Sequence, residues 1–166
     1  CVKGFPGKRS PSGQDGDGDP LSYCWEQIDN QISRFPPNEN NKIGPLYRSY
    51  PPKESPVRYL PDLSALRNGA ISSTWEVTPQ VGRELNFSLT VRDNNEEAGQ
   101  VAIDQLKVQV SETAGPFLVT SQNSSGLIWE PNSEQTVEWE VAGTNTNGIN
   151  VSKVNILLST DGGRTY

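Results

Sequence analysis

Apolar and polar residues alternate strictly from Leu85 to Val91, which is the pattern of a β-strand with one buried face. The stretch 21–28 alternates in the same way, and the stretch 101–110 does so after one slip of register. Residues typical of turns flank these stretches, and the chain contains 15 Gly and 13 Pro at a hydrophobic content of 33%. Together these features predict an all-β fold of short strands joined by many turns.

The length of 166 residues suffices for one large domain or two small ones. We expect tandem immunoglobulin-like β-sandwiches, the first over residues 1–112 and the second over 113–166, joined by a small, polar hinge. Further strand patterns in the second unit lie at 116–120, 127–129, 137–141 and 154–158. The chain stops just after a hairpin-turn signal at Asp161-Gly-Gly, without a return strand, so we expect the second sandwich to be incomplete.

A Pro-rich segment at 29–73 interrupts the strand patterns of the first unit. Its prolines exclude a central strand or a long helix, so we expect a long loop inserted in the first sandwich. One short helix is predicted over 63–66, where Asp62 can serve as its N-cap. Arginines could hold the loop by pairing with carboxylates, or they could be solvated surface; they are Arg48, Arg58 and Arg92. The candidate ligand-binding aromatics of the loop are Tyr47, Tyr50 and Tyr59.

Three aspartates alternate with glycine just before the first strand, at Asp15, Asp17 and Asp19. Their carboxylates can converge on one hard cation within a flexible loop, so the turn is a candidate calcium site. It is not an EF-hand, because a proline stands where that loop needs glycine and a strand follows instead of a helix. Asp93 is the first candidate to complete the ligand shell, and the others are Asn94 and Asp104. The alternative is a solvated acidic turn, because Asp-Gly sequences favour turns.

Composition excludes several functional classes. The chain has no His, so it can hold no His-based zinc site, Ser-His-Asp triad or Cys-His dyad. A net charge of −6 without a Lys/Arg run argues against a nucleic-acid partner. No apolar stretch approaches the roughly 18 residues of a membrane span. Cys1 and Cys24 either pair, as in an exported protein, or stay free.

The segment Ser159-Thr-Asp-Gly-Gly-Arg-Thr-Tyr166 fits the Asp-box pattern, which we interpret as a device that stabilises a turn. Trp25 and Trp139 follow the inward pattern of their strands and are expected to anchor the two cores. Glu138 and Glu140 share one exposed face at strand spacing, which would allow acid–base glycosidase chemistry only within a cleft.

Several runs, in order along the chain, resemble the region that follows the catalytic domain in secreted bacterial metallopeptidases of the reprolysin-like type. These runs lie at 17–29, 44–50, 55–61, 85–95, 114–120, 136–144 and 154–166. The first unit is also similar to polycystic-kidney-disease, cadherin or fibronectin type III sandwiches, some of which bind calcium at Asp-Gly-Asp turns. The resemblance implies a parent zinc endopeptidase. Its His-Glu-x-x-His helix has no counterpart here, so no catalytic residue carries over.

We therefore expect a noncatalytic accessory, spacer or docking module of a secreted or cell-surface metallopeptidase, stabilised by calcium. Because the chain starts on Cys1 without a signal peptide, we read it as a piece of a longer secreted protein. Its expected partners are the upstream catalytic domain and an extracellular protein or glycan. The alternative is a carbohydrate- or protein-binding adhesin module that uses the aromatics of the Pro-rich segment. An enzyme in its own right would need a carboxylate-only mechanism.

Overall fold

The computed structural model of the chain describes residues 15–33, 35–68, 70–161 and 165. Its regular elements are antiparallel strands and one short helix: β1 Ser22–Gln27, α1 Leu63–Arg67, β2 Ser72–Ser73, β3 Glu76–Val77, β4 Arg83–Arg92, β5 Val101–Val110, β6 Leu118–Val119 and β7 Trp139–Glu140. The predicted all-β class is confirmed. No helix among the described residues is long and apolar enough to cross a membrane.

The largest sheet has three antiparallel strands in the order β1-β4-β5. Trp25 of β1 lies opposite Leu89 of β4, which in turn lies opposite Asp104 of β5. The strands predicted at 21–28, 85–91 and 101–110 are all present. The first two have the two-residue period that suits a pleated strand, and the third has it with one break.

The predicted slip of register within β5 is wrong. The β4–β5 ladder runs without interruption from Arg83 opposite Val110 to Arg92 opposite Val101. With a strict two-residue period, Val101 and Ile103 therefore point away from the face that carries Val108. They are 58% and 66% exposed, whereas Val108 is 8% exposed.

The core lies between the inner face of this sheet and the Pro-rich segment. Leu85 and Phe87 of β4 are 0% and 3% exposed. The side chains that complete the cluster are Leu46, Tyr47, Leu60, Val77 and Val108, with Trp25, Leu106 and Val110 packed partly buried against it. The predicted loop is thus a structural layer: it covers the apolar face of the sheet, as a second sheet would in a sandwich.

The side chain of Gln27, on the inner face of β1, attaches this layer to the sheet. Its Oε1 atom accepts hydrogen bonds from the backbone nitrogens of Leu46 and Tyr47 at 2.7 and 2.9 Å. Buried backbone N–H groups need a partner, and a segment rich in proline cannot find enough of them in a regular ladder. A side-chain amide therefore replaces a neighbouring strand here.

Arg83, at the start of β4, performs the same task for the backbone oxygens. It is 5% exposed and donates to the carbonyl oxygens of Asn41 and Gly44 at 2.8 and 2.7 Å. Its guanidinium also lies 3.7 Å from the carboxylate of Asp29. Burial lowers the pKa of Arg83, and the negative charge of Asp29 opposes that shift.

The predicted short helix is confirmed as α1. Asp62 caps it as expected, because its Oδ1 atom accepts a hydrogen bond from the backbone nitrogen of Ser64 at 2.9 Å. The glycine expected to close the helix, Gly69, lies outside the described residues.

The part of the chain from 113 onward forms far less regular structure than predicted. Its only strands among the described residues are β6 and β7, which pair over two residues each. No strand forms at 154–158, where Ile156 and Leu158 are 65% and 74% exposed. Trp139 stacks on Phe117 with ring centroids 6.3 Å apart, yet it is 38% exposed instead of buried in a core. These side chains alternate without an opposing layer to cover them.

Replacing Leu46 with Ala should destabilise the protein strongly if the Pro-rich segment is a structural layer. Truncating a fully buried leucine costs about 2–5 kcal/mol of unfolding free energy. Val57→Ala in the same segment is the control, because Val57 is 44% exposed and its truncation should cost well under 1 kcal/mol. Urea denaturation measures both values. Equal, small losses would mean that the segment is not part of the core.

Candidate functional site

The acidic turn before β1 brings three carboxylates together. One oxygen each from Asp15, Asp17 and Asp19 lies within 4.8 Å of the other two. The backbone nitrogen of Asp19 donates to Oδ2 of Asp15 at 2.7 Å, which closes the turn over four residues. The alternation of Asp with Gly produces this geometry, because Gly18 adopts a φ of 90° that few other residues tolerate.

The acidic turn lies directly against the loop that joins β4 to β5. Asn95 donates from Nδ2 to Oδ2 of Asp19 at 2.7 Å, and Asn94 donates from Nδ2 to the carbonyl of Pro20 at 2.6 Å. Ser22 at the start of β1 donates to Oδ1 of Asn94 at 3.0 Å. The antiparallel pairing of Ser22 with Arg92 explains this contact, because it sets the start of β1 beside the end of β4.

The structure does not place Asp93 among the converging carboxylates. Asp93 is 8% exposed, and both of its oxygens accept the backbone N–H of Gln100, at 2.8 and 2.9 Å. It therefore closes the β4–β5 loop. Asp104, the other distant candidate, accepts the backbone N–H of Gln105 on the exposed part of β5. Of the residues proposed to complete the shell, only Asn94 reaches the acidic turn.

The pKa values of Asp15 and Asp17 shift in opposite directions. The backbone N–H of Asp19 and a hydrogen bond from Asp17 lower the pKa of Asp15. The pKa of Asp17 is raised, because it shares that hydrogen bond with Asp15 and feels the negative charges of Asp15 and Asp19. A divalent cation would relieve this repulsion, and an all-oxygen donor set is the kind that calcium prefers. The residues present therefore fit calcium.

The three candidate tyrosines occupy different environments. Tyr47 belongs to the core: it is 4% exposed, packs on Phe87 at 6.1 Å between ring centroids, and burial raises its pKa to about 12. Its ring cannot serve as the exposed platform that the sequence suggested. Tyr59 is half-buried. Tyr50 is 37% exposed and is the most accessible of the three.

Two arginines contact the ring of Tyr50. The guanidinium carbon of Arg58 is 4.5 Å from its ring centroid and that of Arg48 is 5.1 Å away, both within cation–π distance. Its hydroxyl donates to Oε2 of Glu76 at 3.3 Å. These contacts fix the ring while leaving part of it exposed.

Glu76 of β3 is the buried charge that organises this region. It is 1% exposed and forms an ion pair with Arg58, while its other oxygen accepts the backbone N–H of Asp62 at 2.8 Å. The expectation that Arg58 secures the Pro-rich segment by pairing with a carboxylate is thereby confirmed. Its partner was not foreseen, because Glu76 precedes Val77 in a pattern that gives no sign of a buried acid.

A cleft opens beside Tyr50, between β1 and the Pro-rich segment. Its volume is about 250 Å³. Side chains from both layers line it: Tyr23, Trp25, Tyr50, Pro51, Lys53, Arg58 and Asp62. We call it the Tyr50 cleft. It combines aromatic surface with charged groups of both signs, which is the composition of small-ligand sites in proteins.

Within the Asp-box segment the structure describes residues 159–161 and 165, while residues 162–164 and 166 lie outside the described residues. Asp161 accepts hydrogen bonds from Ser159 Oγ at 2.7 Å and from Thr165, through its backbone nitrogen at 3.0 Å and its hydroxyl at 2.7 Å. Asp161 thus links Ser159 to Thr165, as a device that stabilises a turn would. Cys24 has a free thiol, and Cys1 lies outside the described residues.

Compared with known protein families, with characterised proteins and with solved structures, the chain matches none.

Glu76→Gln should lower the free energy of unfolding by about 3 kcal/mol, because it leaves the Arg58 guanidinium largely buried without its counter-charge. Glu84→Gln is the matched control. Glu84 pairs with Lys107 at 3.1 Å on the surface, with side chains 42% and 65% exposed, and such pairs contribute roughly 0–1 kcal/mol. Chemical denaturation of the two variants measures the difference. Losses of equal size would contradict a buried role for the Glu76 carboxylate.

Proposed function

We propose that this chain is a noncatalytic accessory module, a spacer or docking element, of a secreted or cell-surface metallopeptidase, and that calcium stiffens it. Its units would be immunoglobulin-like sandwiches in tandem. The contact of the acidic turn with the β4–β5 loop carries the proposal. It joins the chain ahead of β1 to the far end of the β4–β5 hairpin through oxygen-rich groups that a cation could bind. The ordered series of runs that resemble reprolysin-like metallopeptidases supplies the assignment to that class of parent protein.

Calcium would be held by the carboxylates of Asp15, Asp17 and Asp19. A bound cation would supply positive charge where three negative charges now repel. The chain's own contribution is the hydrogen bonds that Asn94 and Asn95 donate to the turn, which position it against the sheet. Fixing this end of the sheet would limit bending between the module and the domain before it, which is what a spacer requires.

Calcium should raise the melting temperature of the protein. A ligand that binds only the folded state at about 100 times its dissociation constant should shift the midpoint by roughly 5–10 °C for a chain of this size. Differential scanning calorimetry with millimolar calcium and then with a chelator measures this shift. Asp17→Asn should remove it, because Asp17 contributes one of the three converging oxygens.

Glu97→Gln is the control for charge alone. Glu97 is exposed in the β4–β5 loop and is not one of the converging carboxylates, so this variant should keep the calcium shift. If the unsubstituted chain shows no calcium shift, or if its shift equals that of Asp17→Asn, the acidic run is only a turn and not a calcium site.

The second candidate function is a carbohydrate- or protein-binding adhesin module, and the Tyr50 cleft favours it. Tyr50 lines this cleft, whereas Tyr47 lies in the core. This function would be supported if the unsubstituted chain binds a glycan array and Tyr50→Ala does not. The variant must keep the circular dichroism spectrum of the unsubstituted chain. Array binding that survives the substitution would contradict a role for the cleft.

A further inference from the structure

We propose that the Tyr50 cleft binds a single carboxylated sugar unit, a hexuronate, with its carboxylate on the Lys53 ammonium and a hydroxyl on Asp62. This proposal rests on the second candidate function above. It is carried by the shape of the cleft, by the state of its charged groups and by its aromatic walls.

Hydrogen bonds between the two layers form the cleft before any ligand arrives. The backbones of Tyr23 and Lys53 exchange two hydrogen bonds, at 2.8 and 3.1 Å. The indole nitrogen of Trp25 donates to the carbonyl of Pro56 at 2.8 Å. Both aromatic residues of β1 that line the cleft are thus tied to the segment opposite. A pre-formed site binds without first ordering its walls, which would cost affinity.

The two cations of the cleft differ in their availability. Arg58 is already committed, because it pairs with Glu76 and donates from Nη1 to the carbonyl of Tyr59 at 2.7 Å. Lys53 has no carboxylate within ion-pair distance among the described residues. Desolvation by its surroundings and the positive charge of Arg58 lower the pKa of Lys53, and the negative charge of Asp62 opposes that shift. An anion placed at its ammonium would offset both effects.

The acceptor in the cleft is also partly free. Oδ1 of Asp62 accepts hydrogen bonds from the backbone nitrogen and the hydroxyl of Ser64, at 2.9 and 2.7 Å. Oδ2 of Asp62 accepts no hydrogen bond from the described residues and can take one from a ligand hydroxyl. A ligand with a carboxylate alone would satisfy Lys53 and leave Asp62 facing a like charge. A ligand that carries a carboxylate and hydroxyls on one ring satisfies both.

The volume and the aromatic lining of the Tyr50 cleft also favour one sugar ring. The volume of about 250 Å³ falls just below the range of about 300–1,000 Å³ that is usual for ligand pockets, so the cleft admits one small unit, free or within a longer glycan. Tyr23 is 7% exposed, so Trp25 and Tyr50 supply the apolar surface for the C–H groups of such a ring. One sugar ring with one carboxylate matches this combination of size, charge and aromatic surface.

The test is isothermal titration of the whole chain with D-glucuronate, D-glucose and N-acetylglutamate. Glucose has the same ring without the carboxylate, and N-acetylglutamate has two carboxylates without the ring. Glucuronate should bind at least about tenfold more tightly than glucose, the size expected of one charge-assisted hydrogen bond. Lys53→Gln should reduce that preference to about twofold or less, because it removes the ammonium. The substitution should leave the wall of the cleft in place, since the hydrogen bonds between Tyr23 and Lys53 use only backbone atoms. Lys42→Gln, at an exposed lysine of the same segment, should leave it unchanged.

Three results would overturn the proposal. Glucuronate and glucose could bind equally, the preference could survive Lys53→Gln, or N-acetylglutamate could bind more tightly than glucuronate, which would assign the cleft to an acidic side chain of a protein. A fourth result, no binding of glucuronate while array binding still depends on Tyr50, would reject the hexuronate and leave the adhesin function standing.

Discussion

The buried carboxylate of Glu76 is the interaction on which the arrangement of the Pro-rich segment depends. It binds Arg58 and the backbone of Asp62 from within that segment, and it accepts the hydroxyl of Tyr50. Glu76 is 1% exposed, and a buried carboxylate is stable only when its oxygens pair with a cation or accept hydrogen bonds. The segment has few regular backbone pairings to position it. Fixed polar side chains therefore determine where it crosses the sheet.

Gln27 and Arg83 also position the Pro-rich segment through polar side-chain contacts. Both lie on the inner face of the sheet, where alternation would lead one to expect apolar side chains, and both bind backbone of the covering layer. A proline-rich layer can replace a second sheet only if the first sheet supplies donors and acceptors from its buried face. The polar residues at these inward positions therefore stabilise the core by satisfying backbone groups of the covering layer.

Local features were predictable from the sequence, and long-range ones were not. The strand β4 and the Asp62 cap follow from periodicity and capping chemistry, which act within a few residues. The proximity of the acidic turn to the β4–β5 loop also follows once β1 pairs antiparallel with β4. By contrast, the burial of Tyr47 and the use of Asp93 to close its loop depend on what packs against each side chain. The face of Val101 depends on an uninterrupted ladder that apolar content alone does not reveal.

β1 connects the two candidate sites. At its start, Ser22 contacts Asn94 beside the acidic turn, and the next residue, Tyr23, bridges to Lys53 at the wall of the Tyr50 cleft. Because a strand is stiff over so short a distance, a cation that fixes the turn would also restrain the strand that forms one wall of the cleft. The spacer and the binding functions proposed here are therefore compatible in one module, with β1 as the element that both require.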